Sequence, residues 1–225
     1  MSEARRLVLL GGGGHAAVVA ESARAAGWIV AHCLDDVPAI ADSAGRVGLA
    51  LLGGLDDLER IVRRFDRPTV HAAVGDNALR REWLGRAEAL GAVMAAISHP
   101  SAELSASAVI GEGVFMGPRA VVNARARLGA GVIINTAGVV EHDCRIDAFA
   151  HVAPGAVLCG GASVGEQTLI GAGATVCPGV RIGGCSVLGA GAVATTDIPD
   201  RCRAVGAPAR PVTSISGEDG QALRR

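Results

Sequence analysis

Two histidines and a carboxylate in the second half of the chain have the makings of acid–base chemistry. His142 is followed directly by Asp143, and His151 lies nine residues further on. A neutral imidazole, with an unperturbed pKa of ~6.5, can take a proton from an attacking amine, and a neighbouring carboxylate strengthens that base by favouring the imidazolium. In the first half, Gly11-Gly12-Gly13-Gly14-His15 offers backbone N–H groups and a helix start to a phosphate. The spacing Gly11-x-Gly13-x-x-Ala16, with Asp35 and Asp36 roughly twenty residues on, also fits the dinucleotide fingerprint. A nicotinamide enzyme would need a larger sheet and a catalytic domain suited to hydride transfer.

The elements that must carry these residues change character along the chain. Residues 7–10, 29–34, 49–52, 69–74 and 92–97 read as strands, and 16–26, 55–65 and 77–90 as helices. Strands separated by helices imply a parallel sheet with crossover connections, a Rossmann-like α/β domain over residues 1–98. His99-Pro100 marks the break.

Residues 99–212 follow another rule. From Leu104 in steps of six come Ile110, Met116, Val122, Leu128, Ile134, Val140 and so on to Leu188, every one large and aliphatic or Met. Two residues before each stands a smaller side chain, such as Ala120, Ala126, Cys144, Ala150 or Ala174. A period of six over 85 residues fits neither a helix nor a simple strand. It fits a parallel β-helix in which three hexapeptides close one triangular coil of 18 residues.

That period also gives directions. Residues 18 apart share a column, and coils stack at ~4.8 Å, so Gly160 follows His142 directly in the next coil. His142 is an outward corner residue and His151 points out from the middle of a face. Corner and opposite face lie on two sides of one prism, so the two histidines can share a site only between subunits. A lone corner histidine also reads as a solvated turn residue. Cys144 occupies a small inward position, so packing explains it better than an acyl-cysteine. The remaining cysteines, Cys33, Cys159, Cys177, Cys185 and Cys202, form no C-x-x-C pair with it or with each other and read as free thiols of a reducing cytoplasm.

The segment Asn135-Thr136-Ala137-Gly138-Val139-Val140-Glu141-His142-Asp143-Cys144 resembles a signature of the hexapeptide-repeat acyltransferases, which fold as left-handed parallel β-helices, form trimers and bind acyl-CoA between prisms. The resembling subgroup comprises the nucleotide-linked 4-amino-4,6-dideoxy-sugar N-acetyltransferases and the sialic acid O-acetyltransferases. The resemblance runs from Gly11 to Pro208. It implies His142 as general base tuned by Asp143; the stacking of coils places the N–H of Gly160 to hold the oxyanion. It assigns Asn135, His151, Gly160, Ala172, Ala190 and Arg210 to acetyl-CoA. It assigns Gly13, Gly14, His15, Asp35, Asp36, Gly75 and Asn77 to the nucleotide sugar. Asp35 and Asp36 also read as a solvated turn, Asp76 and Asn77 as a helix cap, and Arg210 as a solvated cation. Ala16 and Asp147 stand where the subgroup usually has Gly.

Bulk properties limit the alternatives. A net charge of −1 gives no general pull toward nucleic acid or an anionic membrane, and no apolar run is long enough for a bilayer span. Residues 213–225 read as a loose tail. The expected activity is N-acetylation of a nucleotide-activated amino sugar by a homotrimer, with acetyl-CoA as co-substrate and no metal. O-acetylation of sialic acid or a related sugar is the alternative. A zinc carbonic anhydrase would need three histidine ligands, and the repeat region has only His142 and His151. A non-catalytic nucleotide-sugar sensor would have no use for the Glu141-His142-Asp143 segment.

Overall fold

The structure, a computed structural model, describes residues 5–65 and 68–215. Its first part is a five-stranded parallel sheet in the order β3-β2-β1-β4-β5. These strands are β1 (Arg6–Leu10), β2 (Ile29–Leu34), β3 (Ala50–Leu51), β4 (Thr69–Ala72) and β5 (Val93–Met94). Four α-helices accompany them: α1 (Gly14–Ala25), α2 (Ala41–Arg46), α3 (Leu58–Phe65) and α4 (Asn77–Ala89). Strand β1 is apolar without alternation because both of its faces are covered. Leu7 and Leu9 join the cluster with Ala16, Val19 and Ala20 of α1, while Val8 and Leu10 join Leu58, Ile61, Trp83 and Leu84 of α3 and α4.

Two features differ from the sequence reading. The short helix α2 is unannounced, because Ala-Asp-Ser-Ala-Gly-Arg contains little helical periodicity and a Gly that weakens it. The single strand expected over residues 92–97 splits. Val93–Met94 closes the first sheet on β4, whereas Ile97–Ser98 pairs with Phe115–Met116 in the second domain.

From Ile97 onward the chain winds a left-handed parallel β-helix of two-residue strands in three sheets. Residues 18 apart pair in register, as Val121 with Val139 and Arg127 with Arg145. The large residues fill the prism. Met116, Val122, Ile134, Val140, Ile146, Val152, Leu158, Ile170, Val176 and Leu188 are all buried, each contributing about 1.5–3 kcal/mol relative to exposure. Leu104 departs from the pattern at 42% exposure, because its strand is the edge of its sheet and no coil precedes it there.

The outward residues give each face its own character. One face bears an exposed Glu103 at its first strand and then Val121, Val139, Val157, Thr175 and Val193, all half-buried and uncharged. A second bears Arg127, Arg145 and Arg181, all exposed. The third bears Phe115, Ile133, His151, Leu169 and Val187 and seats the first domain. Phe115 and Ile133 are buried in the cluster that includes Ala16 and Val19 of α1. The third face ends in the antiparallel pair Cys202–Val205 and Arg210–Ser214. The loose tail expected from Thr213 is thereby corrected for residues 213–215: Thr213 and Ser214 pair with Arg203 and Cys202, and the N–H of Ile215 bonds Arg201. The rest of that segment lies outside the described residues.

Arg80 fastens the two domains. It is fully buried, and its guanidinium donates to Gly131 O at 2.7 Å, Phe149 O at 2.7 Å, Val74 O at 3.1 Å and Asn77 Oδ1 at 2.8 Å. Burial pushes its pKa down to about 9, with Asp76 opposing that shift.

Candidate active site

The corner between the valine face and the arginine face carries His142. Its side chain is 59% exposed, and Nδ1 lies 2.8 Å from Asp143 Oδ2. With the proton on Nδ1, that carboxylate accepts it and Nε2 is left with a lone pair. The ring lies against Gly160 of the following coil: a Cβ built there would stand 2.6 Å from both Cε1 and Nε2 of His142. Any side chain at 160 would therefore displace the imidazole. The Gly160 N–H has no acceptor among the described residues, whereas Gly161 N–H bonds His142 O at 2.9 Å. His142, Asp143 and Gly160 thus come together as the column arithmetic requires.

The sequence reading missed the next member of this corner. Arg125, in the preceding coil, grips Asp143 with both prongs, Nε to Oδ1 at 2.6 Å and Nη2 to Oδ2 at 2.7 Å. Arg125, and after it His142, hold the Asp143 carboxyl well below the usual carboxylate range. The signal was available, since 125 is 143 less one coil of 18.

His151 occupies a different place. It points outward, as expected, but its own amino-terminal domain covers it. Nδ1 lies 3.4 Å from Gly75 O and Nε2 3.1 Å from the amide nitrogen of Asn135, so both ring nitrogens have partners. Burial, with the Arg80 cation adding to it, pushes its pKa down to about 4. His15 stands beside it, ring centroids 6.4 Å apart and edge-on to Phe115 at 5.4 Å. Burial above all pushes His15 down to about 3, and its Nε2 has no hydrogen-bond partner among the described residues. His71 lies behind them, fully buried, with Nδ1 on Ala95 O at 2.9 Å; burial pushes it down to about 4.

The glycine loop leads from β1 into α1. Gly11 has φ +113° and a Cβ there would meet Ala73 O and Val74 Cγ1 at 2.9 Å, so only glycine fits. Helix α1 begins at Gly14 with no side-chain cap and no acidic residue in its first turn. Nothing lies within 4 Å of a Cβ built at Gly14, so the N-terminus faces open space that an anion can use. Asp35 braces the loop, accepting from Gly12 N–H at 2.9 Å and Val37 N–H at 2.9 Å, and Asp36 accepts from Leu55 N–H at 2.7 Å. Asn77, expected at the nucleotide sugar, lies at the domain junction: it is 4% exposed, and its amide bonds Arg80 and Gln167 O. Asp76 caps α4 by accepting from Leu79 N–H at 2.9 Å.

Along the corner between the junction face and the valine face runs a groove of about 510 Å³, lined by Ala153, Ala172, Ala190, Leu169, Val187, Arg203 and Val205 among others. Ala172 and Ala190 therefore fall together, one coil apart. Arg210 is not among the lining residues; its Nη1 bonds the adjacent Ala209 O at 2.9 Å, and Arg203 is the cation at the groove. Burial, chiefly, pushes the Cys144 thiol up to about 11, and its Sγ donates to Cys159 O at 3.2 Å, which suits packing and not nucleophilic attack. Among the described residues no three His, Cys, Asp or Glu side chains converge in a way that could hold a metal, and no helix is long and apolar enough to cross a membrane.

Residues 6–87 match the PglD N-terminal domain family. Solved structures match over nearly the whole chain. A His-to-Asn mutant of perosamine N-acetyltransferase from Caulobacter crescentus, in complex with CoA and GDP-perosamine, is 37% identical, with 95% of this chain and 99% of that chain covered and a TM-score of 0.85. The acetyltransferase domain of PglB from Neisseria gonorrhoeae FA1090, in complex with acetyl coenzyme A, is 38% identical, with 93% and 100% covered and a TM-score of 0.84. WeeI from Acinetobacter baumannii AYE shares the fold at 23% identity, 92% and 99% coverage and a TM-score of 0.77. No curated protein matches.

Proposed function

We propose, from the premise that the chain belongs to the hexapeptide-repeat sugar acetyltransferases, that it moves the acetyl group of acetyl-CoA onto the amine of a nucleotide-linked 4-amino-4,6-dideoxy sugar, a precursor of a surface glycan. The observation that carries this reading is the corner where His142, tethered by Asp143, lies against Gly160. His142 Nε2 takes the proton as the amine nitrogen attacks the thioester carbonyl carbon. The Gly160 N–H receives the oxyanion of the tetrahedral intermediate. Collapse breaks the C–S bond, and the proton held on His142 passes to the departing thiolate, giving the amide and free CoA. The buried Cys144 takes no part. N-acetylation is preferred to O-acetylation because the similar Caulobacter enzyme is an N-acetyltransferase solved with a nucleotide amino sugar.

The working unit in this reading is a trimer. It is supported by the unlike faces of the prism: one is covered by the chain's own first domain, one carries arginines into solvent, and the valine face is uncharged from Val121 to Val193, with a charge, Glu103, only at its first strand. Three valine faces turned toward a common axis would bring the His142 corner of one subunit to the Ala172–Ala190 groove of the next. CoA then lies in that groove, with Ala172 and Ala190 beside it and Asn135 and His151 at its lower end. Arg203 takes the phosphate contact first assigned to Arg210. The diphosphate sits on the N–H groups of Gly13, Gly14 and His15, and the sugar lies toward Gly75, with Asp35 and Asp36 bracing the loop.

The test is to supply acetyl-CoA with a panel of UDP-, GDP- and TDP-linked amino sugars and with sialic acid, and to follow thiol release. Release with a nucleotide amino sugar and none with sialic acid is expected. Release with sialic acid alone would overturn the reading.

A further inference from the structure

We propose that Arg125 is a positioning residue for this acetyl transfer: its fork clamps the Asp143 carboxylate, so that Oδ2 receives the Nδ1 proton of His142 and the ring holds an unprotonated Nε2 against Gly160. The proposal rests on the reading of His142 as the base.

Three observations carry it. The contact is two-pronged, at 2.6 and 2.7 Å, and the oxygen held by Nη2 is the one that meets His142 at 2.8 Å. One carboxylate therefore joins the cation of the preceding coil to the imidazole of the next. Secondly, the backbone fixes both partners: Arg125 N–H bonds Ser107 Oγ at 3.1 Å and Asp143 N–H bonds Ala124 O at 3.0 Å. Both residues sit in the left-handed region, φ +60° and +61°, where later coils of the same column place Gly161 and Gly179. Thirdly, stability is a poor reason for the pair. Arg125 and Asp143 are 65% and 44% exposed, and exposed ion pairs contribute little to folding. Aiming a catalytic ring is a better reason, because a fork that matches a carboxylate in two places fixes its plane as well as its position.

The charged groups around the ring set the expected pH response. Asp143 and Glu141 flank it in sequence, Glu141 Oε2 accepting from the His142 N–H at 3.4 Å, and Arg125 is the cation behind Asp143. Removing that cation leaves the whole carboxylate to the imidazole and favours its protonated form.

The experiment compares Arg125→Gln, Arg125→Lys and His142→Asn across pH, with kcat and both KM values determined. Arg125→Gln should lower kcat on the order of tenfold, as loss of a group that orients a reacting one does, and move the acid limb of the rate profile to higher pH. Arg125→Lys should return the limb toward that of the native enzyme and recover only part of kcat, because an ammonium cannot hold both oxygens in plane. An Arg125→Gln enzyme with unmoved kcat and acid limb, beside an inactive His142→Asn, would overturn the proposal and leave the base in place. A rise only in the KM for acetyl-CoA would also overturn it, making Arg125 an anion contact. A His142→Asn enzyme that stays active would overturn the base reading itself.

Discussion

His142 and His151 belong to one repeat, nine residues apart, and meet opposite surroundings. His142 stands exposed on an open corner, bonded to a carboxylate that an arginine holds. His151 lies under the first domain with both ring nitrogens partnered, and burial drives its pKa down to about 4. A β-helix fixes the direction of each outward residue, while the domain seated on it decides which of them stays open to solvent. An open corner suits a group that must gain and lose a proton during each turnover. A sheltered face suits one that stays neutral and shapes a pocket.

The sharpest break in this comparison is to remove the open ring. His142→Asn should lose ~10²–10⁴ in turnover with little change in acetyl-CoA affinity, and the variant should stay folded because the corner adds nothing to the core. Asp143→Asn should lose less. Steady-state kinetics beside circular dichroism would check both, and a folded His142→Asn enzyme with most of its activity would erase the distinction between the two histidines.

A gentler change displaces the ring without removing it. The Cβ of Gly160→Ala would stand 2.6 Å from Cε1 and Nε2 of His142. Turnover should fall by roughly 10²-fold, since misplacement of about 1 Å can cost that much. The melting temperature should barely move, because the His142 ring lies outside the prism core. An unaltered kcat would mean that contact between His142 and Gly160 is incidental.

The smallest effect separates the sheltered side by pH. His15, His71 and His151 have folded-state values of about 3, 4 and 4, all below that of an unfolded histidine. The unfolded chain therefore binds these protons first. The stability that burial of the neutral rings contributes is complete above ~6.5 and is lost as pH falls from there through the folded-state values. For His71, fully buried, that is about 2 kcal/mol by pH 5, so the melting temperature should drop by roughly 5 °C between pH 7.5 and pH 5. His71→Asn should flatten part of that slope. A stability independent of pH over this range would contradict the sheltered state of the cluster.

Much of the His142 corner was legible in the sequence, because a period of 18 places residues without any tertiary information. Gly160 against His142 follows from subtraction, and Arg125 against Asp143 would have followed from the same subtraction. The junction was not legible. No pattern in α4 marks Arg80 as a buried guanidinium, since an arginine on a helix ordinarily reads as a solvated face. The shelter over His151 depends on where the loop at Gly75 lands, which is set by packing between domains. Asn77 read as a ligand or a cap, and its bracing bonds were hidden because its partners Arg80 and Gln167 come from α4 and from a prism corner 90 residues away. The split after Met94 was hidden for a related reason: one apolar run serves two sheets.

In the proposed trimer the base of one subunit serves the sugar loop of its neighbour. The most direct test mixes two defective proteins, unfolding and refolding them together: His142→Asn, which lacks the base, and Gly13→Val, assayed at an acceptor concentration where its crowded loop makes it silent alone. In a trimer assembled at random, about a quarter of the sites would pair an intact loop with an intact His142 from the next subunit. Recovery of that order in thiol release is the predicted result. No recovery from mixed trimers shown to have exchanged subunits would place base and loop in a single chain and contradict the account.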